Sequence, residues 1–159
     1  MSLAPEPLGI EGAWQAPLKI LPAAGGPVLR FLRAGELNAL FPNGLAEIYF
    51  SEILPGSVKA WKLHERQNSL FCVPSGLIRL VLHDSRLGSP TKGTLLNLRL
   101  GRPDHYAMIH IPAGVWHGFQ CLGAQPAIVC NCADLEHDDK EGRRLPPDDP
   151  AIPCAWPTA

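Results

Sequence analysis

The residue types most able to do chemistry stand together in Lys59-Ala60-Trp61-Lys62-Leu63-His64 and again at His117. In a strand over 58–64, Val58, Ala60, Lys62 and His64 share one face, and Lys59, Trp61 and Leu63 share the other. An inward ammonium beside an imidazole is costly in a filled core, so a cavity that holds water or a ligand is one explanation of the pair. The other is that Trp61 and Leu63 form the core and the Lys62 face lies outside; alternation alone leaves both open. His117 lies in IPAGVWHGF (111–119), where Pro112 and Gly114 shape a tight turn that holds one imidazole rigidly. A hydrogen-bonded core histidine would look the same there.

His64 and His117 together raise a metal site, but two imidazoles are too few. Lys62 stands where a His-x-His pair would begin, and Ser69 where a carboxylate ligand would fall, so no metal is expected. Cys130-Asn131-Cys132 puts two thiols on one strand face without the partner pair of a zinc knuckle. The five cysteines lie mostly in apolar runs and read as small buried hydrophobes rather than a disulfide framework. Gly25-Gly26-Pro27 lacks the Lys-Ser/Thr of a phosphate loop, and no Gly-x-Ser-x-Gly elbow occurs.

The elements that must carry these residues are short. The runs AEIYFSEIL, VKAWKLH, SLFCV, GLIRLVLH, TLLNLRL, YAMIHI, HGFQCL and PAIVCNC, each closed by Gly, Pro, Asn or Asp, predict an all-β barrel or sandwich. Residues 1–27 carry five prolines and read as an extended N-terminal arm, with strand character near Leu18–Leu21, ahead of a domain over 28–159. The charged, proline-rich tail from Asp134 is expected to hold a short helical turn before an extended end.

Composition agrees. The chain has 159 residues, 46% of them hydrophobic, with 17 Pro and 15 Gly, which favours strands and turns over helices or disorder. A net charge of −1 with no basic half excludes nucleic acid and anionic membrane as partners. Residues 105–133 lack charged side chains, but their prolines and glycines break any span, and the start shows no secretion signal, so a cytoplasmic location is expected.

FLRAGEL (31–37), AEIYFSEILPGSVKAWKLHERQ (46–67), Gly76 followed by LIRLVLHDSRLGSPTKG, IPAGVWHGF and RLPPDDPAIPCAW occur in an order and spacing that resembles the dTDP-4-dehydrorhamnose 3,5-epimerase family, from about Leu29 to Trp156. The resemblance implies a cupin, a double-stranded β-helix or jelly-roll barrel. It also implies a homodimer whose N-terminal segment reaches the partner's nucleotide site, no cofactor, and a nucleotide-sugar substrate. The family's reaction removes a proton next to a 4-keto group and returns one to the opposite face, which needs a base, an acid and a cation near the enolate.

Carried over residue by residue, Lys59 takes the place of a phosphate-binding Arg, Lys62 that of the base His, and His117 that of the second His. The acid Tyr, counted from His117, falls on Cys130, and a family Lys falls near Ser69. The resemblance also implies a carboxylate carried in a C-terminal extension, and the sequence read here stops at Ala159. The implied catalytic set is therefore His64 as relocated base, Lys62 as electrophile or base, His117, and Cys130 as donor, with Tyr49 and Tyr106 as outside candidates for the acid. Lys59, Trp61, Glu47 and Tyr49 are the expected substrate contacts. The expected function is proton abstraction beside the keto group of a dTDP-4-keto-6-deoxy sugar; the alternatives are a sugar-nucleotide binder without chemistry and a metal-dependent cupin.

Overall fold

Gly and Pro punctuate this chain so closely that nearly every apolar run becomes a strand. The computed structural model describes residues 4–157. In chain order the elements are β1 (Glu6–Pro7), β2 (Trp14–Pro17), β3 (Ile20–Leu21), β4 (Val28–Leu29), α1 (Ala34–Leu40), β5 (Glu47–Ile53) and β6 (Val58–His64). They continue with β7 (Ser69–Ser75), β8 (Leu77–Asp84), β9 (Leu95–Gly101), β10 (Ala107–Ile111), β11 (Val115–Cys121), β12 (Ala127–Ala133) and β13 (Gly142–Arg144).

A six-stranded sheet in the order β1-β2-β10-β7-β12-β5 faces a five-stranded sheet in the order β13-β6-β11-β8-β9, with β3 and β4 as a separate pair. This is the all-β cupin barrel. Between the sheets, Ile53, Phe71, Val73, Ile109 and Val129 from one side meet Leu80, Leu82, Leu100 and Phe119 from the other in a buried core. Outside the six-stranded sheet, Leu70, Cys72, Met108, Cys130 and Cys132 pack with Phe41, just beyond α1. Outside the five-stranded sheet, Trp61, Leu63, Val81 and Trp116 are covered by Ile152, Leu145 and Trp156 of the C-terminal segment.

The proline-rich start is strand-forming and partly internal. β2 pairs with β10 of the same chain, Ile10, Ala13 and Ala16 are buried, and β3 pairs with β4 across residue 27. The first three residues of the expected arm lie outside the described residues. One sequence expectation, the helical turn in the tail, is corrected. The helix is α1, in Ala-Gly-Glu-Leu-Asn-Ala-Leu ahead of the barrel, and the tail expected to turn helical instead adds strand β13 beside β6. An edge strand there satisfies the backbone groups of β6 that would otherwise face the solvent.

Candidate functional site

The position of the lysines depends on a bulge. Along β11 and β6, His117 faces Lys62 and Phe119 faces Lys59, so two steps on β11 match three on β6. The extra residue breaks the alternation, and Lys59 joins Lys62 on the cavity side although the two are an odd number apart. The strict two-residue reading, which grouped Lys59 with Trp61 and Leu63, is corrected by this bulge. Gly118 makes it possible: a Cβ there would lie 2.5 Å from Ala60 Cβ and 3.0 Å from Trp61 Cε3.

The core does not fill the barrel. A cavity of about 560 Å³ remains, within the range of small-molecule sites. Phe71, Phe119 and Val129 floor it; Lys59, Lys62, His117 and Arg144 line one wall; Tyr49, Ser51 and Asn131 line the facing sheet. Lys59 Nζ donates to Ser51 Oγ at 3.0 Å and to the Glu52 carbonyl at 2.5 Å. Asn131 Nδ2 donates to the Tyr49 hydroxyl oxygen at 2.5 Å, which leaves the phenol's own hydrogen for another acceptor. Burial, with the Glu47 charge adding to it, raises the Tyr49 pKa and keeps the phenol protonated. Burial, reinforced by Arg144, lowers that of Lys62.

His64 stands beside this wall. Its Nδ1 is 2.6 Å from Glu141 Oε2, and its ring lies nearly parallel to that of His117, 5.9 Å between centroids. Glu141 Oε1 accepts from the backbone N–H groups of Arg66 and Gln67 at 2.6 and 2.9 Å, so the carboxylate is fixed from both sides. Burial lowers the His64 pKa, and the hydrogen bond to Glu141 opposes that shift. His117 is pushed down to about 3 by burial, then by His64 and Lys62, and is a neutral imidazole across the working pH range.

The structure brings Lys59, Lys62, His117 and Tyr49 together at the cavity, whereas Trp61, expected to touch substrate, borders it while its indole is buried outside the five-stranded sheet against Trp156. His64 packs behind His117 with its side chain 8% exposed, and Glu47 lies two residues before Tyr49 on β5. Cys130 is not brought there. It sits on the outer face with Cys72 and Cys132, while its neighbour Asn131 takes the cavity position. Counting from His117 locates β12 but misses its face by one residue, which in a strand reverses the side chain. All three thiols are buried there among Leu70, Met108 and Phe41 and away from the cavity, so this cluster reads as packing. Tyr106 lies in the same outer cluster and is no candidate for the acid.

Three further residues complete the site: Asn131, Glu141 and Arg144. Asn131 was legible from its two flanking cysteines, which share the opposite face; Arg144 and Glu141 come from a charged tail without local periodicity. Glu141 places a carboxylate 2.6 Å from His64 Nδ1. Among the described residues, no group of three His, Cys, Asp or Glu is placed to hold a metal ion, and no helix is long and apolar enough to cross a membrane.

A model of the dTDP-4-dehydrorhamnose 3,5-epimerase family matches residues 45–159. The chain belongs to this family of sugar-nucleotide isomerases. Among epimerase-family relatives, a probable low-salt glycan biosynthesis epimerase of Haloferax volcanii is 36% identical over 111 residues, 68% of this chain and 70% of the relative. A spore coat polysaccharide biosynthesis protein of Bacillus subtilis is 34% identical over 111 residues, 69% and 73% of the two chains. The solved dTDP sugar isomerase of Desulfovibrio desulfuricans superposes with a TM-score of 0.87 at 45% identity, covering 98% of this chain and 95% of that one.

Proposed function

We propose that this epimerase-family protein binds a dTDP-linked, or other nucleoside-diphosphate-linked, 4-keto-6-deoxy sugar and moves a proton at the carbon beside its keto group. The observation that carries the reading is the His64–Glu141 pair beside one wall, with the protonated Tyr49 on the facing sheet. Glu141 accepts the Nδ1 proton, and the Nε2 lone pair of His64, met only at 3.4 Å by Gln67 Nε2, which donates to Ser69 Oγ at 3.0 Å, takes the substrate proton. The C–H electron pair moves onto the keto oxygen as an enolate, which Lys62 stabilises. Tyr49 then gives its proton to the opposite face of that carbon, and solvent restores the phenol and the imidazole. Lys59 serves the diphosphate, and Glu47 stands two residues before Tyr49 on β5.

Proton NMR of dTDP-4-keto-6-deoxyglucose in deuterated water tests this. Loss of the C3 or C5 signal with wild type, abolished in His64→Ala, is the expected result; no exchange with wild type overturns the reading for this sugar.

One observation favours a second reading, a binding protein without chemistry. His64 does not line the cavity, and its Nε2 is 3.4 Å from Gln67 Nε2, which occupies the lone pair needed for a base. Line broadening of the sugar on binding, without exchange and abolished by Lys59→Ala, would favour the binder.

The reading includes a cytoplasmic homodimer. Ile48 and Phe50, on the outer face of edge strand β5, are 52% and 67% exposed, an apolar surface suited to self-association that analytical ultracentrifugation would test.

A further inference from the structure

The two arginines of β13 part ways. Arg143 Nε lies 2.7 Å from Glu65 Oε1 on the exposed side. Arg144, next along the strand and so on the other face, lines the cavity. In register it lies directly opposite Lys62, whose other neighbour is His117. Among the described residues, none of Lys59, Lys62 and Arg144 forms an ion pair with a carboxylate. Lys59 is engaged by Ser51 and the Glu52 carbonyl, so Lys62 and Arg144 are the two cations left to face the cavity together.

Like charges directly opposite on antiparallel strands destabilise the pair. The arrangement becomes favourable when an anion sits between the two, and a guanidinium beside an ammonium offers a planar fork and a point charge to a single oxygen. Lys59 stands opposite Phe119, two steps along β11 from His117 and so roughly 7 Å from Lys62 at about 3.3 Å per step, and its ammonium is turned to Ser51 and Glu52, so the wall carries two separate cationic points. One suits a diphosphate. The other lies beside His117 and His64, where the reacting carbon of the proposed reaction would be.

We propose that Arg144 and Lys62 form an oxyanion clamp at the sugar end of the cavity, holding the C4 oxygen as it becomes negative. This rests on the epimerase reading for the identity of the anion, and it makes Arg144 a catalytic residue whose effect falls on turnover rather than on nucleotide binding.

The test separates the two ends of the cavity. For Arg144→Gln, exchange of dTDP-4-keto-6-deoxyglucose in deuterated water should fall about 10²–10³-fold in kcat, with Arg144→Lys recovering part of it. The dissociation constant of dTDP alone, by calorimetry, should stay within about twofold in Arg144→Gln and rise about tenfold or more in Lys59→Ala. Unchanged exchange in Arg144→Gln, or a loss of dTDP affinity matching that of Lys59→Ala, overturns the clamp. If wild type exchanges no proton, the sugar reading fails separately, and the clamp is then read with acetate. With dTDP saturating, acetate at tens of millimolar should shift the ¹³Cε resonance of Lys62 in wild type and not in Arg144→Gln. No shift in wild type overturns the clamp as well.

Discussion

Nδ1 of His64 lies 2.6 Å from Oε2 of Glu141, across 77 residues of sequence. The contact joins the end of β6 to the start of β13, where the Glu65 N–H also donates to the Glu141 carbonyl at 3.1 Å. One carboxylate thus fixes the imidazole tautomer and tethers the strand that delivers Arg144.

Glu141→Gln keeps the shape and an acceptor for the Arg66 and Gln67 N–H groups but removes the charge. Proton exchange should fall about 10²–10⁴-fold while thermal unfolding stays cooperative, which exchange NMR and calorimetry check together. A change below threefold would remove His64 as base.

Exchange should persist to a lower pH than a free imidazole allows. The His64 pKa lies below 6.5, and the neutral form is the active one, so the acidic limb of kcat should fall below pH 6.5. A limb at or above 6.5 contradicts a buried histidine as base.

Tyr49→Phe should uncouple the two half-reactions. Deuterium still enters at the carbon that His64 serves, but the inverted product disappears, because the proton for the other face is gone; product stereochemistry by NMR decides this. Cys130→Ala should leave both unchanged and lower Tm by about 2–6 °C, as expected of a small cavity in the outer cluster.

His117 is neutral when folded, with its pKa pushed down to about 3, whereas the unfolded chain protonates it near 6.5. Between those values the unfolded state holds the extra proton, so stability falls as pH drops from 6.5 towards 3, by up to about 1.4 kcal/mol per pH unit from this group. Urea midpoints across that window should be less pH-dependent in His117→Asn, which lacks the titration.

Gly118→Ala tests the bulge. A methyl group 2.5 Å from Ala60 Cβ cannot be accommodated without moving β6, so a cost of about 1–3 kcal/mol is expected. Movement of Lys59 from the wall should also weaken dTDP binding, measured by calorimetry.

Strand periodicity and the Gly and Pro punctuation determined the all-β class and put Lys62 and His64 on one strand face without saying which way it points, and the family motifs determined the kind of chemistry to look for; of that pair only Lys62 lines the cavity, with His117 rather than His64 beside it. Such features are local: alternation is a property of a few neighbouring residues, and it fails where one extra residue enters a strand. The bulge that turns Lys59 inward, the face that excludes Cys130 in favour of Asn131, and the return of β13 with Glu141 and Arg144 were decided only by tertiary structure. Each depends on register between strands far apart in the chain, set by packing at Gly118, the two barrel faces and the Glu141 carboxylate rather than by any neighbouring residue.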